Sequence, residues 1–179
     1  MIASFKNTCI YPIKVKDAKS IHQLMVSNAS RFKRYFPKTL EKNATEALSE
    51  TFTKSKVDKF QLKEEFLFTI KTIATEKVIG LVYIKELDWT TKQGEFAYCI
   101  DSKYSSKGLM SNTIKILSEY AFTDLGLETL QIIAYKDNIS SIKVALSNDF
   151  KWIKTLINEF TPIGESPLDM ELYERYKQI

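Results

Sequence analysis

Three consecutive segments with the composition of β-strands constrain the fold of this chain more than any other feature. EEFLFTIKTI, KVIGLVYIKELDW and GEFAYCID occupy residues 64–73, 77–89 and 94–101, and all three are rich in β-branched and aromatic residues. The segments ATE and TTKQ that separate them are short, polar and suited to hairpin turns. The sequence therefore predicts three antiparallel strands in the middle of the chain.

Amphipathic helices are predicted on both sides of these strands. The first begins with Asp17 as its N-cap and ends before Pro37, and the second is followed by a polar connection over residues 53–63. A third helix, of about four turns, follows residue 110, and Gly126 ends it in a left-handed conformation. The apolar residues at helical spacing are Ile21, Leu24, Met25, Ala29 and Phe32 in the first helix, Ala44, Ala47, Leu48 and Phe52 in the second, and Ile114, Leu117, Tyr120 and Ala121 in the third.

The remaining segments complete an α/β pattern. TLQIIAYK is predicted to be a buried strand, SSIKVALSND a short helix, and FKWIKTLI with PLDMELYER a closing strand pair. We expect the order β-α-α-β-β-β-α-β-α-β-β in one domain over residues 1–179, because a chain of this length with 44% hydrophobic residues suffices for one core. The predicted fold class is α/β, with a mixed, mostly antiparallel central sheet of about seven strands flanked by four helices.

The chain lacks the residues that several classes of function require. The sole histidine is His22, and Cys9 and Cys99 stand in no metal-ligand spacing, so we expect neither a metal site nor a disulfide framework. The sequence contains no G-x-G-x-x-G or Walker motif. It also shows no secretory leader and no apolar run long enough to cross a bilayer, so we expect a cytoplasmic protein without membrane contact.

Positive charge is concentrated in one segment. RFKRYFPKTLEK, residues 31–42, carries five basic residues against one acidic residue, which equals the net charge of +4 of the whole chain. Such a run is typical of the solvated face of a helix whose aromatic residues, here Phe32, Tyr35 and Phe36, are buried. The alternative is a surface for an acidic partner, and nucleic acid is not an expected partner.

The junction between the third central strand and the helix after it carries a signal for anion binding. In residues 103–110, KYSSKGLM, the pair Lys107 and Gly108 stands just before the helix. The first amides of a helix have no acceptor within it, the helix dipole is positive at that end, and a glycine lets a ligand approach the backbone. Many ordinary loops also have one glycine before a helix, so this pattern alone leaves both interpretations open.

These residues resemble the GNAT family of N-acetyltransferases, in particular its Rim-type branch of ribosomal-protein N-terminal acetyltransferases. The coenzyme A signature of the family, Gln/Arg-x-x-Gly-x-Gly/Ala, falls on residues 105–110, and KDNISSIKVALSNDF resembles the Asn-x-x-Ser segment of that branch. YPIKVKDAKSIHQL near the start and LDMELYERY near the end extend the likeness over nearly the whole chain. The resemblance implies the GNAT fold, acetyl-CoA as co-substrate and no metal.

The resemblance also implies where acetyl-CoA binds. Its pantetheine arm should pair with the backbone of a central strand, and its pyrophosphate should lie on the loop before the following helix. Asn138 and Ser141 should lie near the arm, where the serine can face the thiolate leaving group; helix capping by Asn138 and Ser140 is the alternative. The residues implied for the arm are Tyr98, Cys99 and Ile100, and those implied for the pyrophosphate are Ser105, Ser106, Lys107, Gly108, Leu109, Met110 and Ser111.

Glu95 is the predicted general base. An amine must lose a proton before it attacks a thioester, and a carboxylate among apolar neighbours can have a raised pKa. Strict alternation along a strand puts Glu95, Ala97 and Cys99 on one face. The alternative for Glu95 is a surface carboxylate at a strand start. Cys99 is not expected to be a nucleophile, because no histidine stands near it in the sequence.

The sequence leaves the acceptor open. The Rim-type likeness points to acetylation of a protein N-terminus. The alternatives are a small amine, such as a polyamine, an amino sugar or an amino acid, and a non-catalytic member that binds coenzyme A. Acidic residues available for a cationic amine are Glu41, Glu46 and Glu50, and the departures from the signature that motivate the non-catalytic alternative are Ser105, Ser106 and Met110. A monomer and a homodimer are both compatible with the sequence.

Overall fold

The computed structural model describes residues 1–178, which form eight strands and six α-helices. The strands are β1 (Ala3–Phe5), β2 (Thr8–Pro12), β3 (Phe66–Thr72), β4 (Val78–Asp88), β5 (Gln93–Ile100), β6 (Thr129–Tyr135), β7 (Lys151–Phe160) and β8 (Leu168–Tyr176). The helices are α1 (Ala18–Ser27), α2 (Ala29–Phe32), α3 (Pro37–Glu41), α4 (Glu46–Gln61), α5 (Leu109–Thr123) and α6 (Ile139–Leu146). The strands form one sheet in the order β1-β2-β3-β4-β5-β6-β8-β7. β5 and β6 pair in parallel, whereas the β1–β2, β2–β3, β6–β8 and β7–β8 pairs are antiparallel.

This architecture confirms the predicted fold class, but the sheet has eight strands rather than about seven. The additional strand is β1, which forms a hairpin with β2. Lys6 and Asn7 between them both have positive φ, +43° and +59°. Two consecutive residues of this kind form the turn that best matches the twist of a tight hairpin. A polar pair without glycine conceals this turn in the sequence.

The first predicted helix is divided at Asn28, which is one reason why the structure has six helices rather than four. Asn28 has φ −121° and ψ 19°, outside the helical region, and its Nδ2 donates to the Leu24 carbonyl at 3.0 Å. Its Oδ1 accepts a hydrogen bond from the Ser102 backbone N–H, also at 3.0 Å. The apolar periodicity continues through the break, so the spacing of apolar residues alone could not reveal it.

The second predicted helix is longer than expected. Residues 53–61, predicted to be a connection, belong to α4. Thr53 is fully buried, with its hydroxyl donating to the Ser49 carbonyl, and Phe60 packs edge-on against Phe66 and Phe68 with centroid distances of 4.9 and 5.4 Å. The prediction failed because this end of α4 is held by buried Thr53 and the ring contacts of Phe60, while most of its surface is polar. The third predicted helix corresponds to α5, and Gly126 after it has the predicted left-handed φ, +74°.

The chain divides into two compact units. The first comprises Met1–Tyr83 and Tyr98–Ser105, and the second comprises Ile84–Ala97 and Ser106–Ile179. In the first unit, β3 is buried over its first six residues. In the second unit, the rings of Phe96 and Phe150 pack edge-on, 6.3 Å apart, within a core that also contains buried residues of α5 and β6. The single domain over residues 1–179 stays a prediction.

A buried ion pair links β3 to the start of α1 in the first unit. Lys71 Nζ lies 2.6 Å from Asp17 Oδ1, and both side chains are only 4% exposed. Asp17 Oδ2 accepts a hydrogen bond from the Lys14 backbone N–H at 3.0 Å. Asp17 therefore stands at the start of α1 as predicted, but its side chain makes no capping hydrogen bond to that helix. A carboxylate removed from water needs a counter-charge, and Lys71 provides it.

We expect Lys71→Met to lower the free energy of unfolding by about 3–5 kcal/mol, because it leaves the Asp17 carboxylate buried without a counter-charge. Urea unfolding followed by circular dichroism measures the loss. Lys16→Met is the matched control, since Lys16 pairs with Glu76 at 3.0 Å but their side chains are 61% and 67% exposed, and exposed pairs contribute little. Equal losses in the two variants would contradict the role assigned to burial.

Candidate active site

The segment before α5 has a backbone conformation that suits anion binding. Gly108 is the N-cap residue of α5 with φ +71°, and Ser106 also has a positive φ, +60°. Residues 106–108 are exposed, whereas Leu109 and Met110 are buried and anchor the first turn of the helix. The first amides of this 15-residue helix have no acceptor within it, and the helix dipole is positive here. The segment can therefore hold a phosphate group.

A hydrogen-bonded cluster joins the first turn of α5 to the end of α6. Ser111 Oγ lies 2.8 Å from Ser147 Oγ, and Asn148 Nδ2 donates to Ser111 Oγ at 3.1 Å and to the Val144 carbonyl at 2.8 Å. Asn148 is buried, with 3% of its surface exposed. The sequence predicted Ser111 as a site residue but missed Asn148, because a contact 37 residues away leaves no local pattern. The cluster therefore connects the first turn of α5 to the residues that follow α6.

The end of β5 supplies the residues predicted to pair with pantetheine. Tyr98 and Ile100 are half-buried and Cys99 is buried. After them, the Asp101 N–H donates to the Ile79 carbonyl at 2.8 Å, which ties this end of the strand to β4. Burial raises the pKa of the Cys99 thiol to about 12. The thiolate form is therefore scarce at neutral pH, which disfavours nucleophilic chemistry at this residue.

The burial of side chains along β5 does not alternate strictly. Burial at Phe96 is followed by burial at Cys99, three residues further on, while Glu95 and Ala97 are partly exposed. That Glu95, Ala97 and Cys99 share one face of the strand stays a prediction. The parallel pairing with β6 extends from Gln93 to Phe96.

Glu95, in the part of β5 that belongs to the second unit, forms an ion pair with Lys85 of β4. Glu95 Oε1 lies 2.8 Å from Lys85 Nζ, and the side chains are 14% and 32% exposed, respectively. Burial raises the pKa of the Glu95 carboxyl, and the charge and hydrogen bond of Lys85 oppose that rise. Because the net shift is upward, this carboxylate is a better proton acceptor than an ordinary glutamate.

Asn138 and Ser141 lie at the start of α6. Asn138 is the N-cap residue, and its Oδ1 accepts a hydrogen bond from the Ser141 backbone N–H at 3.2 Å. The capping role that was the alternative for Asn138 is thus present. Capping uses the Asn138 Oδ1 atom and the Ser141 backbone N–H, so it does not conflict with a place near the cofactor arm.

Similarity to known proteins identifies the family. Residues 7–151 match the family model described as acetyltransferase (GNAT) domain. The chain is also 30% identical over 154 residues to the spermidine N(1)-acetyltransferase of Escherichia coli strain K12, in an alignment that covers 86% of this chain and 78% of that protein. The chain belongs to the GNAT acetyltransferase family. Membership confirms the expectation of an acetyltransferase with acetyl-CoA as co-substrate.

Solved structures share the fold of this GNAT protein. Ribosomal-protein-S5-alanine acetyltransferase from Vibrio fischeri has a TM-score of 0.91 at 19% identity, with 97% of this chain and 95% of that chain covered. The RimL ribosomal L7/L12 α-N-protein acetyltransferase in complex with coenzyme A has a TM-score of 0.89 at 16% identity, with 98% and 97% covered. At these identities the likeness concerns the fold alone, and it confirms the predicted GNAT fold.

The described part of this GNAT protein has neither a metal-binding cluster nor a membrane-spanning helix. Within residues 1–178, no group of three or more His, Cys, Asp and Glu side chains is placed to hold a metal ion. Over the same range, no helix combines the length and the apolar character that a membrane span requires. Cys9 and Cys99 are both buried free thiols.

The basic segment of this GNAT protein reaches the end of β5. Arg31 of α2 places Nη1 3.4 Å from the Ile100 carbonyl oxygen and Nη2 3.3 Å from Ser105 Oγ. Phe32 is buried and Arg31 is exposed, as expected for a solvated helix with a buried aromatic residue. The contact between Arg31 and the first residue of the coenzyme A signature was not predicted, because 74 residues separate the two in the sequence.

In Lys85→Met we expect the Glu95 carboxyl to titrate at a higher pH than in the wild type. The substitution removes the charge and the hydrogen bond that lower this pKa and keeps the burial that raises it. Carboxyl ¹³C NMR of the assigned Glu95 signal over a pH series measures the shift. Lys92→Met is the matched control, because Lys92 pairs with a different carboxylate, the exposed Glu128. An unchanged or lower midpoint in Lys85→Met would contradict the assigned balance.

Proposed function

We propose that this protein transfers the acetyl group of acetyl-CoA directly to a primary amine. The observation that carries the proposal is Glu95, a largely buried carboxylate whose pKa is raised, on the strand that precedes the glycine turn of α5. The amine nitrogen attacks the thioester carbon, the new C–N bond forms and the C–S bond breaks. The amine gives up its proton to the base, and coenzyme A leaves as a thiolate that takes up a proton. The buried thiol of Cys99 supports direct transfer rather than an acyl-enzyme.

Backbone groups are proposed to make most of the contacts with acetyl-CoA. The amides of residues 105–111 would hold the pyrophosphate, supported by the positive φ of Ser106 and Gly108 and by the exposure of that turn. The backbone of residues 98–100 would pair with the pantetheine arm as an added strand does. Since these contacts use main-chain atoms, the departures from the signature at Ser105, Ser106 and Met110 are compatible with binding.

Glu95 is proposed as the general base and Ser141 as the group that faces the leaving thiolate. A base is most effective when its pKa lies near the working pH, and burial moves the pKa of Glu95 in that direction. The Ser141 backbone N–H is used by Asn138, which orients the first turn of α6. In the proposed mechanism the serine hydroxyl donates to the thiolate as negative charge develops on sulfur.

The acceptor favoured by sequence similarity is a small cationic amine. The E. coli relative is named for spermidine, and the alignment covers most of both chains. Glu41, Glu46 and Glu50 are exposed on α3 and α4, where they can attract a polyamine, and Glu46 Oε1 lies 3.9 Å from Lys19 Nζ. A protein N-terminus is the second candidate acceptor, favoured by the Rim-type pattern of the sequence. Cytoplasmic location and a monomeric or homodimeric state stay predictions.

Acetyl-CoA should raise the thermal stability of the wild-type protein, since a ligand at 100 times its Kd stabilises a fold by about 2.7 kcal/mol. In Gly108→Val we expect this shift to be lost, because a β-branched residue at φ +71° is strained and should deform the turn. Differential scanning fluorimetry with acetyl-CoA, and with adenosine plus acetate as the ligand control, measures both proteins. Gly164→Val is the matched variant, since Gly164 has φ +76° in the connection between β7 and β8.

A wild-type protein whose melting temperature does not rise with acetyl-CoA would overturn acetyl-CoA binding. A wild-type rise in the melting temperature of Gly108→Val would overturn this placement of the pyrophosphate.

Glu95→Gln should lower kcat by about 10²–10⁴-fold without weakening acetyl-CoA binding, because general base catalysis contributes that much. The wild-type rate should rise as the pH passes upward through the pKa of Glu95, and the variant should lose this limb. Release of the coenzyme A thiol is followed with a chromogenic disulfide, with spermidine, an amino sugar, an amino acid and an N-terminal peptide as acceptors.

Glu128→Gln is the control for Glu95→Gln, because it removes an exposed carboxylate that also pairs with a lysine. A wild-type rate for Glu95→Gln at every pH would remove Glu95 from the mechanism. Acetyl-CoA binding without transfer to any acceptor of the panel would favour the non-catalytic alternative.

A further inference from the structure

Two side chains hold α2 against the connection that follows β5 within the first unit. Asn28, just before α2, is buried, and its Oδ1 accepts the Ser102 N–H at 3.0 Å. One turn later, Arg31 donates from Nη1 to the Ile100 carbonyl at 3.4 Å and from Nη2 to Ser105 Oγ at 3.3 Å. These contacts lie at Ile100, the last residue of β5, and at Ser102 and Ser105 in the connection after it. The position of the Arg31 guanidinium is therefore set by the backbone that surrounds it.

Arg31 donates its hydrogen bonds to two uncharged acceptors, a carbonyl oxygen and a hydroxyl. Their distances of 3.3–3.4 Å exceed the roughly 2.7–2.9 Å typical of charge-assisted hydrogen bonds. A guanidinium has five N–H donors in a planar fork that matches the oxygens of a phosphate. Arg31 is exposed and can keep donors for a ligand in addition to these two contacts.

Ser105 opens the loop that is proposed to hold pyrophosphate, and its side chain brings no charge. The family signature has Gln or Arg at this position, so the loop lacks the side chain that the pattern would place there. Arg31 brings a permanent positive charge to the same residue from a different helix. Phosphate groups carry negative charge that main-chain amides alone offset only in part, so a nearby guanidinium adds both charge and directed hydrogen bonds.

We propose that Arg31 is a phosphate-binding residue of the acetyl-CoA site and replaces, from α2, the side chain that Ser105 does not provide. This inference rests on the proposed function, because it requires that the loop opened by Ser105 bind the phosphates of acetyl-CoA. It assigns a cofactor-side role to one residue of the basic segment, residues 31–42. The remainder of that segment keeps the role of a solvated helical surface.

A phosphate-binding residue and a residue that only docks α2 differ in one measurable respect. Loss of a docking contact would weaken every acetyl thioester, with or without phosphates. Loss of a phosphate contact weakens only ligands that carry phosphate. Arg31→Gln keeps hydrogen-bonding capacity and removes the charge, and the exposure of Arg31 makes the variant compatible with folding.

The experiment is isothermal titration calorimetry of wild type and Arg31→Gln with acetyl-CoA, with its 3′-dephospho form and with S-acetylpantetheine, which lacks all phosphates. We expect Arg31→Gln to bind acetyl-CoA at least about tenfold more weakly, as for a lost hydrogen bond to a charged group. S-acetylpantetheine should bind wild type and variant within about twofold of each other. A loss that persists for 3′-dephospho-acetyl-CoA assigns Arg31 to the pyrophosphate, and a loss confined to acetyl-CoA assigns it to the 3′-phosphate.

Arg34→Gln is the matched control, because Arg34 is exposed in the same segment and its guanidinium lies over the Tyr35 ring at 5.6 Å. We expect this control to bind acetyl-CoA with wild-type affinity. Equal weakening of acetyl-CoA and S-acetylpantetheine in Arg31→Gln, or no weakening of either, would overturn the inference while the proposed function stands. Failure of the wild type to bind acetyl-CoA would overturn both.

Discussion

The Asn28 side chain makes hydrogen bonds on two sides. The organisation of the first unit around β5 depends on them. The Asn28 amide nitrogen satisfies a carbonyl at the end of α1, and its amide oxygen satisfies the Ser102 N–H just after β5. Because the side chain is buried, loss of either partner would leave a polar group without compensation for the water that it gave up. The break in the helix is therefore linked to the connection after β5, and α2 begins where Arg31 can reach Ile100 and Ser105.

The chemistry proposed for Glu95 depends on two opposing electrostatic effects. Burial penalises the charged form and raises the carboxyl pKa, whereas the neighbouring Lys85 favours the charged form and limits the rise. Burial without the lysine would raise the carboxyl pKa further. The lysine without burial would keep the carboxylate charged but weakly basic. A general base needs an intermediate pKa, and the 2.8 Å ion pair in a largely buried setting is suited to it.

The loop proposed to bind coenzyme A, residues 105–111, departs from the family signature in its side chains. The groups proposed to bind pyrophosphate are backbone amides, so their arrangement depends on dihedral angles and on the anchoring of α5. Gly108 provides the left-handed residue, buried Leu109 and Met110 anchor the helix, and Asn148 holds Ser111 from the end of α6. Charge absent from the loop at Ser105 is available from Arg31, which the fold brings to it from another element.

Patterns in the sequence correctly predicted the strands β3 to β8, the helices α5 and α6 and the fold class, and the likeness of its residues indicated the family. These features have local signals, because strand composition, short turns and helical spacing act between residues that are near in the chain. The break at Asn28 and the extent of α4 depend on contacts that form only in the folded chain. Tertiary structure also decided the pairing of Glu95 with Lys85 and the contact of Arg31 with Ser105. In each of these cases the deciding contact or burial depends on elements that only the folded chain brings together, and no local pattern of residues records such a contact.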